Sequence, residues 1–457
     1  MEKFDVLVIG SVSGMNVASN AVASGLKTAV VEFGPMGGTC VNRGCIPSKM
    51  LIYPADVVTT IRESEKLGVD ATIKSIDFKK IMRRMHEIVT EDTQKQAKAV
   101  EATPNMTWFK QVGEFVSDYT MKVGNSTIKA ERIFIVSGAK PGIPPIKGIE
   151  NVNYLTSDTV LLLETPPKTM IIIGGGYIAA EYGHFFSSIG TNVTIVQRGS
   201  RLLPEEEPEI SDLLKEEMKK RIEIFTNYEA VEAKEKGNVK TVIARNRDNG
   251  TFKEFSAEAL LIAAGRVPNS DILKPEKTGV ELDERGYVKV NEYLETGKKN
   301  IFAFGDAIGK QMFKHVANYE AEVAWHNATH DHKVKMDYSA APHAVFTHPQ
   351  IASVGLKEAE AKQQGYKILV GKAFYKDTAM GLAMGEPEGF VKVVVDQNTG
   401  KILGAHIIGP FASILIQEII NVMVSESKNF LPIIRGMHIH PAMSEVVQRA
   451  FGNLSEV

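Results

Sequence analysis

Residues 9–14 read "IGSVSG" and follow directly on the apolar run Val6–Leu7–Val8–Ile9. A buried strand over residues 4–10, a glycine turn, a helix from Asn16 to Gly25 and a second strand from Lys27 to Glu32 form a β-α-β unit of about the expected size. In a dinucleotide-binding turn the first glycine makes the bend, the second lets backbone approach a pyrophosphate, and the third packs helix on strand. Gly10 supplies the first. Val12 puts a branched side chain at the second, and Met15 replaces the third small residue. Glu32 lies 22 residues after Gly10, where an acid binds a ribose hydroxyl. The helix still offers its amino end to an anion. If Val12 overpacks the loop by about 1–3 kcal/mol, a nanomolar site of about 12 kcal/mol is weakened but not emptied. The loop is therefore expected to bind its dinucleotide.

The same pattern returns later. Met170–Ile173 is a strand, "GGGYIAAEYG" (174–183) turns into a helix, and Asn192–Gln197 is the next strand. Two such units about 164 residues apart suggest electron or hydride relay between two cofactors, whereas one alone is a weak signal. Between them "SGAKPGIPPIKGIE" (137–150) is rich in Gly and Pro and marks a crossing between domains. "AAGRVPNSD" (263–271) has the same character and returns the chain to the first domain. After residue 340, "GFVKVVVDQNTGKILGAHIIG" (389–409) alternates and turns at Asn398–Gly400, as an antiparallel hairpin does. "SILIQEIINVMV" (413–424) is an apolar-faced helix, richer than a monomer surface tolerates. Residues 340–457 read as an interface domain.

At 457 residues the chain exceeds one small core, and several domains are expected. Its 44% hydrophobic and 24% charged content is that of an ordinary globular protein. The net charge of −2 gives no strong pull toward nucleic acid or membrane. Lys79–Lys80, Arg83–Arg84 and Lys219–Lys220–Arg221 sit among acids in helical patterns and read as solvated faces. The first strand begins at once, so no leader is expected, and no apolar run approaches the roughly 18–20 residues that span a bilayer. A cytoplasmic protein is expected.

The only two cysteines are Cys40 and Cys45, in "GGTCVNRGCIPSK" (37–49). A disulfide framework does not suit so large a chain with two cysteines. Zinc needs two further ligands near by, and no histidine precedes His86, so no metal is expected. On a regular helix, cysteines at i and i+5 would lie about 7.5 Å apart along the axis, beyond easy reach of a disulfide, which needs Cα atoms within roughly 7 Å. The segment is therefore expected to be a distorted loop entering a helix, with Gly44 and Pro47 suited to that. A thiol at a helix amino end has a lowered pKa, which favours reversible redox chemistry.

This stretch closely resembles the active-site motif of the pyridine nucleotide–disulfide oxidoreductases, especially dihydrolipoamide dehydrogenases. The resemblance covers essentially the whole chain. "IFAFGDAIG" (301–309) is similar to the family's second flavin motif, with Asp306 at the ribityl chain, and "GGGYIAAE" (174–181) to its nicotinamide-dinucleotide loop. "FTHPQIASVGL" (346–356) and "HIHPAMSE" (438–445) resemble its interface domain. The resemblance implies FAD, a nicotinamide cofactor, a redox disulfide and a homodimer. It implies an α/β fold of two Rossmann-like dinucleotide-binding domains plus a C-terminal α+β dimerisation domain. The expected segments are 1–145 and 267–339 (FAD), 146–266 (NAD(P)) and 340–457 (interface).

By the same resemblance Cys45 is the charge-transfer thiolate beside the flavin and Cys40 exchanges with substrate. Lys49 lies near the flavin and pairs with Glu181. His440, supplied by the partner subunit, moves protons for the thiols, and Glu445 orients it; a thiol must lose a proton before it attacks. His438, His343 and His348 read as structural histidines. The cofactor contacts implied are Gly10, Ser11, Val12, Ser13, Gly14, Glu32, Gly38, Thr39, Lys49, Gly138 and Asp306, with Gly174, Gly176, Tyr177, Ile178, Gln197, Arg198, Gly265 and Arg266. Tyr177 resembles the tyrosine that gates the nicotinamide pocket in relatives.

At the end of the second unit's second strand an acid binds the NAD ribose, whereas arginine favours the 2′-phosphate of NADP. Gln197 fills the acidic position and Arg198 follows, with Arg201 near by, which favours NADPH over NADH. Many dihydrolipoamide dehydrogenases carry Val where Arg43 sits; raising the thiol potential and touching an acidic substrate both stay open for it. The carboxy-terminal cysteine pair of mercuric reductases is missing, which argues against mercury chemistry, and single-cysteine coenzyme A disulfide reductases fit poorly. The main reading is a dihydrolipoamide dehydrogenase-like enzyme acting on a lipoyl-type or small-molecule dithiol or disulfide. "SKMLIYPADVV" (48–58) also resembles mycothione reductases, so an NADPH-driven reductase of a small disulfide of the glutathione or mycothione type is the alternative. A flavoprotein redox sensor that does not turn over is a third reading, supported by Val12 alone.

Overall fold

The computed structural model describes residues 1–457. The chain divides into two compact units, residues 1–48, 82–142 and 265–336 in the first and residues 49–81, 143–264 and 337–457 in the second. In chain order the elements begin with β1 (Glu2–Ile9), α1 (Gly14–Ala23), β2 (Thr28–Val31), α2 (Gly38–Asn42), α3 (Cys45–Arg62) and α4 (Phe78–Ala102). There follow β3 (Met106–Phe109), β4 (Gly113–Ser117), β5 (Thr120–Val123), β6 (Ser126–Ile135) and β7 (Ala139–Pro141).

In the first unit the sheet order is β3-β2-β1-β6-β5-β4, with the strand Ile301–Ala303 also pairing β6. Strands β1, β2, β3, β6 and Ile301–Ala303 run parallel. Val6, Leu7 and Val8 are fully buried, which is why β1 reads as an unbroken apolar run rather than an alternation. Val8 pairs with Val30 of β2 on one side and Phe134 of β6 on the other. The carboxyl end of β1 therefore opens at the point where strand order reverses, the place where such sheets hold ligands.

Helix α1 starts at Gly14, two residues before the expected Asn16. A Cβ on Gly14 would stand 2.7 Å from Val8 Cγ1. Gly14 thus makes the close helix-on-strand contact that Met15 was expected to forfeit.

The second unit holds β8 (Thr169–Ile173), α5 (Tyr177–Ser188) and β9 (Asn192–Gln197). Its parallel sheet runs Glu223–Thr226, β9, β8, Ala259–Ile262, beside an antiparallel sheet of Tyr228–Lys236, Val239–Asn246 and Phe252–Ala257. A third, six-stranded sheet from Pro342 onward is antiparallel throughout. Its strands Phe390–Asp396 and Ile402–Ile408 form the expected hairpin, and helices Ala412–Met423 and Glu445–Gly452 pack on it. Buried ion pairs brace this sheet to the segment after β9. Lys392 meets Glu207, Glu209 and Glu358, and Glu206 meets His343 and Ser353. His343 is accordingly structural.

Candidate functional site

The first unit carries the turn at residues 9–14. Gly10 has φ +110°, and a Cβ there would stand 2.1 Å from Val136 O, so no other residue fits without strain. Val12 turns its side chain toward Gly38, where a Cβ would lie 2.5 Å from Val12 Cγ2. The volume that valine adds is received by a glycine of the cysteine motif. Glu32, at the end of β2, accepts hydrogen bonds from Ser11 N (3.1 Å), Ser11 Oγ (2.9 Å) and Gly34 N (2.9 Å). A pocket between Gly10, Glu32, Phe33, Val112, Ser137 and Asn269 opens beside it. The buried Ser137 hydroxyl in its wall has no partner, a cost that a ligand oxygen would remove. Next to it Gly138 has φ +68° and open space where a Cβ would point. These features fit the adenosine and diphosphate of FAD.

Asp306 lies in the turn Gly305–Ile308, and Arg266 Nε stands 3.6 Å from its carboxylate. Burial raises the Asp306 pKa, and Arg266 opposes the rise. Arg266 also donates to Ala139 O.

The cysteine motif folds as two helices with a break. Thr39 and Cys40 lie in α2, the chain leaves helical geometry at Arg43, and α3 begins at Cys45. Gly44 makes the break possible, since a Cβ there would press on Thr39 O at 3.0 Å. Asn42 staples the preceding turn by donating to Met36 O and Gly38 O, both at 3.0 Å, and Thr93 of α4 holds its oxygen at 2.7 Å. The Cys40 and Cys45 side chains hydrogen-bond each other without a covalent link. Cys45 is the main cause pushing the Cys40 thiol well above its ordinary range; burial and Asp92 add to this, and Lys314 opposes. Loss of the Cys40 proton is therefore disfavoured while Cys45 stands beside it. An ideal Cβ at Gly34 would lie 3.2 Å from Glu32 Oε1 and 3.7 Å from Arg43 Nη2, so the Arg43 head stands on the Glu32 side of the motif.

Other site residues belong to the second unit. Lys49 Nζ lies 2.7 Å from Glu181 Oε2, and the other carboxylate oxygen accepts from Phe346 N at 3.0 Å. The Lys49 ammonium also sits 4.5 Å above the Phe346 ring. Glu181 is nearly buried and α5 holds it, so the lysine head is fixed rather than loose.

At the glycine loop, Gly174 has φ +125° and a Cβ would stand 2.1 Å from Ala263 O. Gly176 precedes α5 with open space where its Cβ would point, leaving the first amides of Tyr177 and Ile178 at a helix amino end that suits a diphosphate. Gln197 packs on Gly175 and donates to Arg201 O at 3.2 Å. Arg198 is exposed. Arg201 is held by Asp212 through Nε at 2.9 Å and is turned to that partner. Arg247, which no local motif marks, donates from Nη1 to Arg198 O at 3.3 Å. Its own amide bonds Asn227 O, and Asn227 N bonds Gly199 O, so strand pairing delivers a second guanidinium to this loop. Gly265 belongs to the first unit and has open space beside it.

His440 Nδ1 is 2.9 Å from Glu445 Oε1, and Ala442 N donates to Oε2 at 3.1 Å. The hydrogen bond with His440, then that from Ala442, lowers the Glu445 pKa. The imidazole itself is 70% exposed, with its Nε2 edge available to a partner. His438 pairs with Glu418 at 3.5 Å and His348 with Glu63 at 3.0 Å, both structural contacts. No helix is long and apolar enough to cross a membrane.

Residues 4–328 match the pyridine nucleotide-disulphide oxidoreductase family and residues 341–451 match its dimerisation domain. The chain is 37% identical to mycothione reductase of Mycobacterium tuberculosis, over 98% of this chain and 99% of the relative. It is 34% identical to dihydrolipoyl dehydrogenase of Synechocystis, over 98% of each. A solved structure of the HOCl-induced flavoprotein disulfide reductase RclA from Escherichia coli, as a Cu(II) complex, superposes with a TM-score of 0.88 at 28% identity, covering 99% of both chains. The chain belongs to the pyridine nucleotide-disulphide oxidoreductases, enzymes that work with FAD and a nicotinamide dinucleotide.

Proposed function

We propose that this enzyme is a homodimer that uses NADPH to reduce a low-molecular-weight disulfide through Cys40 and Cys45. The observation that carries the direction is the end of β9, where Gln197 replaces the ribose-binding acid, Arg198 follows it, and the Arg247 guanidinium reaches the Arg198 carbonyl. A guanidinium forks onto a phosphate and gains little from a bare ribose hydroxyl. Mycothione reductase and RclA are named reductases of disulfides, which agrees with this direction.

FAD supplies the chemistry that carries an electron pair between the nicotinamide and the protein disulfide. The residues that would hold it are those of the Gly10–Gly14 loop, with Glu32, Gly38, Thr39, Gly138 and Asp306. Glu181 fixes the position of the Lys49 ammonium. Once the Cys40–Cys45 bond has taken up two electrons, Cys45 keeps the thiolate and Cys40 the proton. The partner subunit's His440, oriented by Glu445, removes that proton. Cys40 then attacks one substrate sulfur, and the departing thiolate takes the proton from the imidazole. Cys45 attacks the Cys40 sulfur, re-forming the disulfide and expelling the second substrate thiolate, which is protonated from solvent.

Dimerisation has support in the apolar side chains that the C-terminal domain exposes. Ile414, Val424 and Ile439 are each about two-thirds exposed or more, and Met437 is fully so. We keep the segments 1–145 and 267–339 for the flavin, 146–266 for the nicotinamide and 340–457 for the interface. A cytoplasmic location suits a chain whose only cysteines are one redox pair.

A second reading, dihydrolipoamide oxidation with NAD, has support in the 34% identity to dihydrolipoyl dehydrogenase over nearly the whole chain. Steady-state assays separate the two. The proposal expects kcat/KM for NADPH with glutathione or mycothiol disulfide to exceed that for NADH by tenfold or more, about 1.4 kcal/mol. Arg247→Ala should raise the NADPH KM about tenfold and leave NADH unchanged, whereas Arg201→Ala should move either by less than about twofold. Faster turnover of dihydrolipoamide with NAD would overturn it.

A further inference from the structure

We propose that Lys314 is the cation of the flavin's diphosphate subsite, held at the Gly10–Gly14 loop through Asn318. The inference rests on the flavin reading of that loop. Lys314 opens the helix Lys314–Thr329, and its Nζ donates to Asn318 Oδ1 one turn along at 2.9 Å. The same oxygen accepts the Ser13 hydroxyl at 2.9 Å and Asn16 Nδ2 at 3.4 Å. Ser13 is buried at the N-cap position of α1, so two links of 2.9 Å tie the ammonium to the amino end of that helix.

Three donors thus converge on one neutral amide oxygen, which has two lone pairs. The ammonium keeps further N–H groups unspent, and so does the loop, whose helix dipole already favours an anion. This corner offers a ligand several donors and the Lys314 charge. A diphosphate supplies the acceptors. The half-buried setting of Lys314 strengthens the attraction relative to a surface lysine. Lys314 also opposes the upward push on the Cys40 thiol.

The test uses apoprotein and FAD, read by quenching of flavin fluorescence over a salt series. Lys314→Met should bind FAD about tenfold more weakly at low salt and show a flatter salt dependence, because a screened charge pair has been removed. Lys314→Arg should stay within about twofold of wild type and keep its salt slope. Thermal melting of the two apoproteins should coincide, with a smaller FAD-induced rise for the methionine variant. Wild-type affinity and salt slope in Lys314→Met would overturn the inference. So would an arginine variant as weak as the methionine one, which would mark the lysine as structural. A wild-type apoprotein that binds no FAD would overturn the flavin reading itself and this inference with it.

Discussion

The two glycine loops do the same task with different parts. At the second, Gly174, Gly175 and Gly176 are consecutive, and the space beside Gly176 is open to a ligand. At the first, the central position is Val12, and its side chain is accommodated by Gly38, which lies 26 residues on in the sequence and belongs to the cysteine motif. What both loops keep is the first glycine. Gly10 and Gly174 have φ +110° and +125°, each with a carbonyl oxygen 2.1 Å from where a Cβ would be. The turn is therefore the fixed requirement, and the close approach is negotiable when a neighbour yields room.

The strongest way to break this comparison is to fill the fixed positions. Gly10→Ala should leave a protein without bound flavin, since the added carbon meets backbone that cannot move and the conformation itself is strained. Gly174→Ala should keep its flavin absorbance and lose reduction by NADPH by about a hundredfold or more. Absorbance of the purified proteins and stopped-flow reduction read both. Flavin loss in both variants, or in neither, would collapse the distinction.

A moderate effect tests the accommodation of Val12. Gly38→Ala should destabilise the apoprotein by about 1–3 kcal/mol, because the new methyl meets Val12 Cγ2. Adding Val12→Gly should restore most of this, leaving about 1 kcal/mol for the left-handed backbone at residue 38. Urea unfolding of the single and double variants measures the coupling. Simple additivity would show that the two side chains do not share that space.

The smallest effect concerns charge. Glu32 of the first unit accepts from Ser11 and Gly34, whereas Glu63 of the second is held by His348. The hydrogen bond from His348 lowers Glu63 from 4.5 to about 2, with burial opposing. A lowered carboxylate stabilises the fold above its unfolded pKa, and that contribution is lost as pH falls toward the folded value. Glu63→Gln should therefore be less stable than wild type at neutral pH by at most about 1 kcal/mol, since the pair is well exposed. The difference should shrink between pH 4.5 and about 2. A gap that widened with acid would contradict the assignment.

Much of this was legible in the chain. The parallel strands announce themselves because strands buried on both faces are unbroken apolar runs, as Val6–Ile9 and Met170–Ile173 are. The spacing rules out one regular helix through a paired Cys40 and Cys45, but the expected loop is in part the short helix α2, with the break at Arg43 and Gly44. His440 and Glu445 are five residues apart and could be paired by inspection. Lys49 and Glu181, 132 residues apart, could be paired only through resemblance. The receipt of Val12 by Gly38 and the delivery of Arg247 to the β9 turn depend on packing between distant segments, which no local pattern carries. Arg201 was expected to help with phosphate because Asp212, its partner, lies on the next helix and leaves no mark beside it in sequence.

The central claim is that Cys40 and Cys45 form a redox pair in series with the flavin. Anaerobic titration with a reductant, counting electrons per flavin, tests it most directly. The account predicts two electron pairs for the wild type and one for Cys40→Ser or Cys45→Ser, with flavin still bound and disulfide turnover gone. Uptake of two pairs by either serine variant would contradict it.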